Sequence, residues 1–177
     1  AGLDTSAWST SGGQTTPWLT ANESFGTVSG HVILGSDSSA TPTYHDVIAT
    51  LTQLQDINTT GLSGDYVLGA NIDASATAGW NGGKGFAPIG NGTTNFTGIF
   101  DGLNYTISNL TISRSSSNYV GLFGFTSGAT LRDVGLVGGS VSGGVDTGAL
   151  AGVNEGAITN AYATGSVTGN EIGRAHV

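Results

Sequence analysis

The sequence predicts an all-β fold: a right-handed parallel β-helix, or solenoid, with one short helix in the segment leading into the stack. Three observations carry this expectation. Blocks of sequence recur at offsets of 26 to 28 residues. Within a block the apolar residues alternate, which is the strand period, rather than recurring every three or four positions. The composition, 31 Gly and 9% charged residues among abundant Ser, Thr and Asn, suits many short strands closed by tight turns.

Taken in order, residues 1–42 are rich in Ser, Thr and Gly and hold one strand candidate, residues 28–34. They read as a linker or the end of a preceding array. Residues 43–61 read as a helical segment. Thr43-Tyr44-His45-Asp46 has the form of a capping box, with Pro42 just before it. Val47, Ile48, Leu51, Leu54 and Ile57 fall on one helical face, and Gly61 suits a terminator. Gly64-Asp65-Tyr66-Val67-Leu68-Gly69-Ala70-Asn71-Ile72-Asp73 then reads as a strand pair with Tyr66, Leu68 and Ile72 on one side. A Gly-rich loop around residues 80–85 follows.

Residues 62–170 are expected to form the rungs, each of about 26 residues, clearest at about 117–143 and 145–169. Leu122 maps onto Leu150, Gly124 onto Gly152 and Gly128 onto Gly156 at an offset of 28. Leu131 maps onto Ile158 at 27, and Gly139-Ser140-Val141 onto Gly165-Ser166-Val167 at 26. One rung cannot bury its inward face alone, so Leu122, Leu150, Leu131, Ile158, Val141 and Val167 are the expected core stack. Ile107-Ser108-Asn109-Leu110 reads as a fainter copy of Leu131-Arg132-Asp133-Val134. On that alignment Asn109, Asp133 and Asn160 form a corner ladder, their side-chain amides or carboxylate bonding to neighbouring backbone at a turn. The plainer reading is that Asn and Asp are common in turns.

The last residues, Glu171-Ile172-Gly173-Arg174-Ala175-His176-Val177, resemble the translation of a common sequencing adapter and are set aside as an artefact. The expectation is therefore that the natural chain continues past Asn170 into further repeats.

These residues carry a family resemblance. Leu62 to Asp73, Trp80-Asn81 with Phe86-Ala87-Pro88-Ile89-Gly90, and Phe96-Thr97-Gly98-Ile99-Phe100-Asp101-Gly102 with Ile107-Ser108-Asn109-Leu110 make a familiar succession. Gly121-Leu122-Phe123-Gly124 and Gly148-Ala149-Leu150-Ala151-Gly152 then resemble the GLUG motif. The stretch from 44 to 169 is similar to GLUG repeat regions of filamentous-haemagglutinin-like bacterial surface adhesins. Ala149 and Ala151 depart from the motif, which has bulkier residues there. Trp8-Ser9-Thr10 and Pro17-Trp18-Leu19 resemble the closing segment of such an array. The resemblance implies secretion to a bacterial cell surface and attachment to a host cell, matrix or glycan, and supplies no catalytic residues to carry over.

The chemistry is consistent with that picture. A net charge of −8 with only four Lys and Arg opposes a nucleic-acid partner. With no Cys there is no disulfide framework or thiolate metal site, and no apolar run reaches the roughly 18 residues of a membrane helix. No nucleophile elbow, paired-His zinc spacing, phosphate-binding loop or Gly-rich calcium nonapeptide occurs, so no metal and no cofactor is expected. Regular Thr-x-Thr arrays, which an ice-binding face would need, are missing from the repeats.

A polysaccharide-binding β-helix, catalytic or not, is the alternative. A lyase or hydrolase site would need clustered carboxylates, and Asp101, Asp133, Arg114 and Arg132 are the candidates. The plainer reading makes Asp101 a turn cap, Asp133 a ladder member and both arginines solvated. Sequons stand at Asn22, Asn58, Asn91, Asn95, Asn104 and Asn109. Trp80, Phe86, Phe96, Tyr119, Phe123 and Phe125 offer either core aromatics or a sugar-stacking platform.

Overall fold

The computed structural model describes residues 44–171 together with three short strands before them: β1 (Trp8–Ser9), β2 (Trp18–Leu19) and β3 (His31–Ile33). β1 and β2 pair antiparallel with each other. β3, inside the strand candidate 28–34, pairs antiparallel with β4 (Tyr44–Ile48). The remainder of 1–42, and the adapter-like residues 172–177, lie outside the described residues.

The stretch 44–48 is thus a strand, not the first turns of a helix. Val47 and Ile48 suit either reading, and pairing decides it. They are β-branched, and they stack in register on Val67 and Leu68 of β5 (Asp65–Leu68). The helix, α1 (Leu51–Thr60), starts at a different capping box from the one the sequence suggested. The Thr50 hydroxyl accepts from the Gln53 N–H at 3.2 Å, and the Gln53 side-chain oxygen accepts from the Thr50 N–H at 3.0 Å. Gly61 closes the helix, donating to the Ile57 carbonyl at 3.2 Å. Leu54 and Ile57 bury the inner face.

β5 and β6 (Ile72–Asp73) do not pair with each other, as a strand pair would. They open two different sheets. A 3-10 segment (Ser75–Gly83) follows, broken at Trp80–Gly82, where Asn81 and Gly82 are left-handed with φ of 54° and 65°. Then come nine strands: β7 (Ile99–Asp101), β8 (Thr106–Ser108), β9 (Thr111–Ser113), β10 (Phe123–Arg132), β11 (Gly135–Val137), β12 (Ser140–Ser142), β13 (Ala151–Thr159), β14 (Tyr162–Ala163) and β15 (Ser166–Thr168).

The chain deals these strands in rotation to three sheets. The orders are β13-β10-β7-β5-β4-β3, β14-β11-β8-β6 and β15-β12-β9. From β4 onward every pairing between these strands is parallel. The fold is therefore all-β with parallel sheets, each circuit from β7 onward adding one strand to each sheet.

Register places like on like. Tyr66, Phe100, Leu131 and Ile158 form one column, and Ile72, Ile107, Leu136 and Ala163 a second. Ile112, Val141 and Val167 form a third. In the core, Phe123 packs edge-on to Phe100 at 5.3 Å and tilted to Phe96 at 4.9 Å.

The rungs are not of one length. Phe100 follows Tyr66 by 34 residues, Leu131 follows Phe100 by 31, and Ile158 follows Leu131 by 27. The period of about 26 thus describes only the last circuit, and the chain shortens its corners as it proceeds.

This register also corrects one alignment. The counterpart of Leu131-Arg132 is Phe100-Asp101, whereas Ile107 stacks on Leu136. Both β8 and β10 end in an aliphatic and then a polar residue, followed by a left-handed Asn or Asp, so a copy matched by eye falls as readily on the wrong corner as on the right one.

Close approach between rungs explains the motif glycines. Gly124 donates to the Ile89 carbonyl at 2.8 Å, and a Cβ there would overlap the Gly90 carbonyl oxygen. Gly152 is enclosed in the same way by Val120 and Gly124 of the rung beneath it.

Candidate functional site

The predicted ladder divides between two corners. Asp133 and Asn160 lie in register after β10 and β13, both left-handed with φ of 52° and 50°. The Asn160 side-chain amide donates to Asp133 Oδ1 at 3.0 Å. Asn109, φ 59°, sits at the next corner, after β8, and is no part of that pair. Its amide donates instead to Asp73 Oδ1 at 3.1 Å. Asp73 also accepts from the N–H and hydroxyl of Ser75. These bonds, the one from Asn109 foremost, hold its carboxyl below the usual range. Asn and Asp suit both corners because their short side chains tolerate left-handed backbone.

Of the expected core stack, Leu122, Leu131 and Leu150 are at most 1% exposed and Val141 is 5% exposed, while Ile158 and Val167 are only partly buried. The difference is positional. Ile158 and Val167 lie on β13 and β15, the outermost strands of their sheets.

The carboxylates that an enzyme would need are in structural use. Asp101 is buried, accepts from the Leu103 N–H at 2.8 Å and forms an ion pair with Arg132 at 2.7 Å. Arg132 is thus not simply solvated, and neither is Arg114. The Arg114 Nε donates to the Phe86 carbonyl at 3.2 Å, and its burial lowers the guanidinium pKa. Asp133 is bonded to Asn160 and meets neither arginine in an ion pair. Among the described residues no group of three or more His, Asp or Glu side chains is placed to hold a metal. No described helix is long and apolar enough to cross a membrane.

The sequons separate by environment. The amides of Asn58 and Asn109 bond to protein groups, and the Asn95 side-chain oxygen is buried without a partner. Asn91 and Asn104 are exposed, and Asn22 lies outside the described residues. The aromatics separate as well. Phe86, Phe96 and Phe123 are core residues with no exposure, while Trp80, Tyr119 and Phe125 remain partly open.

One partly open aromatic belongs to a formed cavity. α1 lies against the loop Ala87-Pro88 through two amides spaced three residues apart on one helix face. Gln55 accepts from the Ala87 N–H at 2.8 Å and donates to the Ala87 carbonyl at 3.0 Å. Asn58 donates to the Pro88 carbonyl at 3.1 Å and accepts from the Gly90 N–H at 3.0 Å. Beside this clamp, the helix, the loop and the 3-10 turn border an open cleft of about 550 Å³, lined also by Asp56, Thr59, Trp80 and Asn81. Trp80 lies at 20° to Phe86 with 6.5 Å between ring centroids, so one side of the indole rests on the core. The sequence drew attention to Trp80 but not to the clamp. Its only signal was a pair of amides on the polar face of the helix.

No family model and no solved structure matches the chain. The chain is similar to Halomucin of Haloquadratum walsbyi, 44% identical over 151 residues. That match covers 82% of this chain and 2% of Halomucin, so the chain corresponds to a small part of its relative's length.

Proposed function

We propose that this chain is a structural and adhesive segment of a large exported surface protein, built as a right-handed parallel β-helix with GLUG-like rungs. The observation that carries the reading is the rotation of strands through three parallel sheets with like residues in register. Such a stack is stabilised by neighbour-on-neighbour contacts, so it extends by adding rungs and serves as a stiff spacer. The similarity to 2% of a far longer chain supports the role of one segment among many. Among the described residues β13, β14 and β15 are the outermost strands of their sheets, and they leave Ile158, Ala163 and Val167 partly exposed.

The attachment role places the protein outside the cell, where it meets a cell surface, matrix or glycan. Catalysis forms no part of this reading, because Asp101, Asp133, Arg114 and Arg132 are held in bonds that serve the fold.

The test is a longer segment of the parent chain, immobilised and screened for retention of cells, matrix proteins and glycans. Retention on at least one surface, without turnover of a polysaccharide, is the expected result. Turnover lost on Asp101→Ala or Asp133→Ala would establish an enzyme instead.

A further inference from the structure

We propose that the cavity between α1 and the Trp80 turn binds a pyranose unit of a neutral glycan. The proposal names a ligand class for the attachment role above and rests on that reading.

The argument starts from which polar groups are already used. Gln55 and Asn58 spend their amides on the loop, so they fix the cavity wall and offer little to a ligand. Three groups are left over. The Asp56 carboxylate and the Trp80 indole N–H have no protein hydrogen-bond partner among the described residues. Asn81 donates its amide to the Gly85 carbonyl at 2.7 Å, which orients the side chain and leaves its oxygen unused. The residues lining the cavity therefore carry one unanswered N–H donor and two kinds of unused oxygen acceptor, beside an aromatic ring that is already fixed on Phe86.

A sugar ring fits this set better than other small groups. Each hydroxyl both donates and accepts, so adjacent hydroxyls satisfy the indole N–H and the two acceptors together. The C–H face of a pyranose packs against an aromatic surface. An alkylammonium group only donates or makes no hydrogen bond, which leaves the indole N–H unanswered, and a single ring does not enclose it. An anionic sugar would meet Asp56 with no cation lining the cavity, in a chain of net charge −8. The volume, about 550 Å³, is in the range that small ligands occupy and admits one or two rings. A single carboxylate lines it, so the site binds and does not hydrolyse.

The experiment uses the full 177-residue chain. Maltotriose, cellotriose, lactose and an N-acetylglucosamine trimer are titrated against the indole N–H resonances, with tetramethylammonium and sialyllactose as the cationic and anionic probes. The expected result is a shift of the Trp80 resonance by at least one neutral probe, with an affinity of about millimolar as suits a ligand of this size. Trp80→Ala abolishes binding. Asp56→Asn, an exposed change that leaves thermal unfolding where it was, weakens it about tenfold, as loss of a charge-assisted hydrogen bond does. The proposal is overturned if no neutral probe moves the Trp80 resonance, if the cationic or anionic probe moves it instead, or if Asp56→Asn binds as tightly as the parent. If the chain is retained on glycan surfaces and both variants are retained equally, the cavity is wrong and the attachment role stands. If the parent chain is retained on nothing, the attachment role fails as well.

Discussion

Leu131 and Ile158 occupy equivalent positions in successive rungs and pair directly across β10 and β13, yet the structure assigns them different weights. Leu131 has no exposure, and it lies between Phe100 below and Ile158 above. Truncation to alanine removes three carbons from a dry site, which at about 0.8 kcal/mol per buried methylene costs about 2.4 kcal/mol in transfer. The void is sealed by neighbours on both sides and adds about 1 kcal/mol, within the known range for buried leucine. Leu131→Ala should therefore destabilise by about 3 to 4 kcal/mol. For a chain of this size that lowers the melting temperature by about 9 to 12 °C, at about 3 °C per kcal/mol.

Ile158 is only partly buried and lies on the outermost strand of its sheet. Ile158→Ala loses about half the transfer term, and water fills the space, so the expected cost is about 1 kcal/mol, or about 3 °C. Thermal unfolding followed by circular dichroism, with urea titration as a second axis, measures both variants. The reasoning is refuted if the two substitutions shift the transition equally, or if Ile158→Ala is the more damaging. Either result would mean that the Ile158 face is covered in solution, or that Leu131 does not lie in the interior.

Other substitutions test other parts of the fold. Asp101→Ala strips the Leu103 N–H and the Arg132 guanidinium of their buried acceptor and should cost about 2 kcal/mol by chemical denaturation, with Asp101→Asn milder because it keeps a bond to Leu103. Gly124→Ala drives a methyl into the Gly90 carbonyl and should cost more than 3 kcal/mol, whereas Gly128→Ala, with open space around it and φ of 68°, should cost only the roughly 1 to 2 kcal/mol of left-handed strain. Comparable melting temperatures for the two glycine variants would contradict the packing of rung on rung. Asp73 has its carboxyl lowered in the folded state, so the ionised form is the one that folding favours. Its contribution to stability is present at neutral pH and is lost as the pH falls through the usual carboxylate range and then through the lowered midpoint. Asn109→Ala should raise the Asp73 midpoint toward the ordinary value in a carboxyl-carbon NMR titration, and an unmoved midpoint would remove Asn109 as the cause.

The strand period and the repeat were legible because alternation and register are written in the same residues. Leu131 pairs with Ile158 at an offset of 27, and Val141 with Val167 at 26, the offsets at which the sequence itself repeats. Three features were less readable. Ile107-Ser108-Asn109 looks like Leu131-Arg132-Asp133, yet the two lie at different corners, because the first and second corners of a circuit can both turn on a left-handed Asn or Asp. Val47 and Ile48 fit a helical face as well as a strand, and only the distant partner β5 resolves them. Burial along one column depends on how many rungs lie beyond a residue, which its identity does not encode. The clamp of Gln55 and Asn58 on the loop spans about thirty residues of sequence, the range at which local patterning carries no signal.

On the proposed reading, the unequal rungs divide the labour between spacing and recognition. In the short circuits the chain passes from the first sheet to the second, and from the second to the third, across only two residues, as at Asp133-Val134, where Asp133 is left-handed. The long circuit departs from this at the third sheet. Where later rungs supply a parallel strand, it inserts the 3-10 segment and returns through Gly85, which bridges Ile112 in the antiparallel sense. The Phe86 N–H then bonds to the Thr111 carbonyl, so the detour still closes onto the stack. α1 seats against the same detour, and the Trp80 cavity forms between them. Such an insertion is inexpensive in a stack of this kind. Lengthening a circuit from 27 residues, as between Leu131 and Ile158, to 35, as between Ile72 and Ile107, adds only about 0.2 kcal/mol of closure entropy. Each rung rests on its immediate neighbours, and that small cost stays local. A solenoid can therefore carry a recognition site on one elongated rung while its short rungs preserve the spacing, and the long circuit around Trp80 has the dimensions and the unused polar groups for that part.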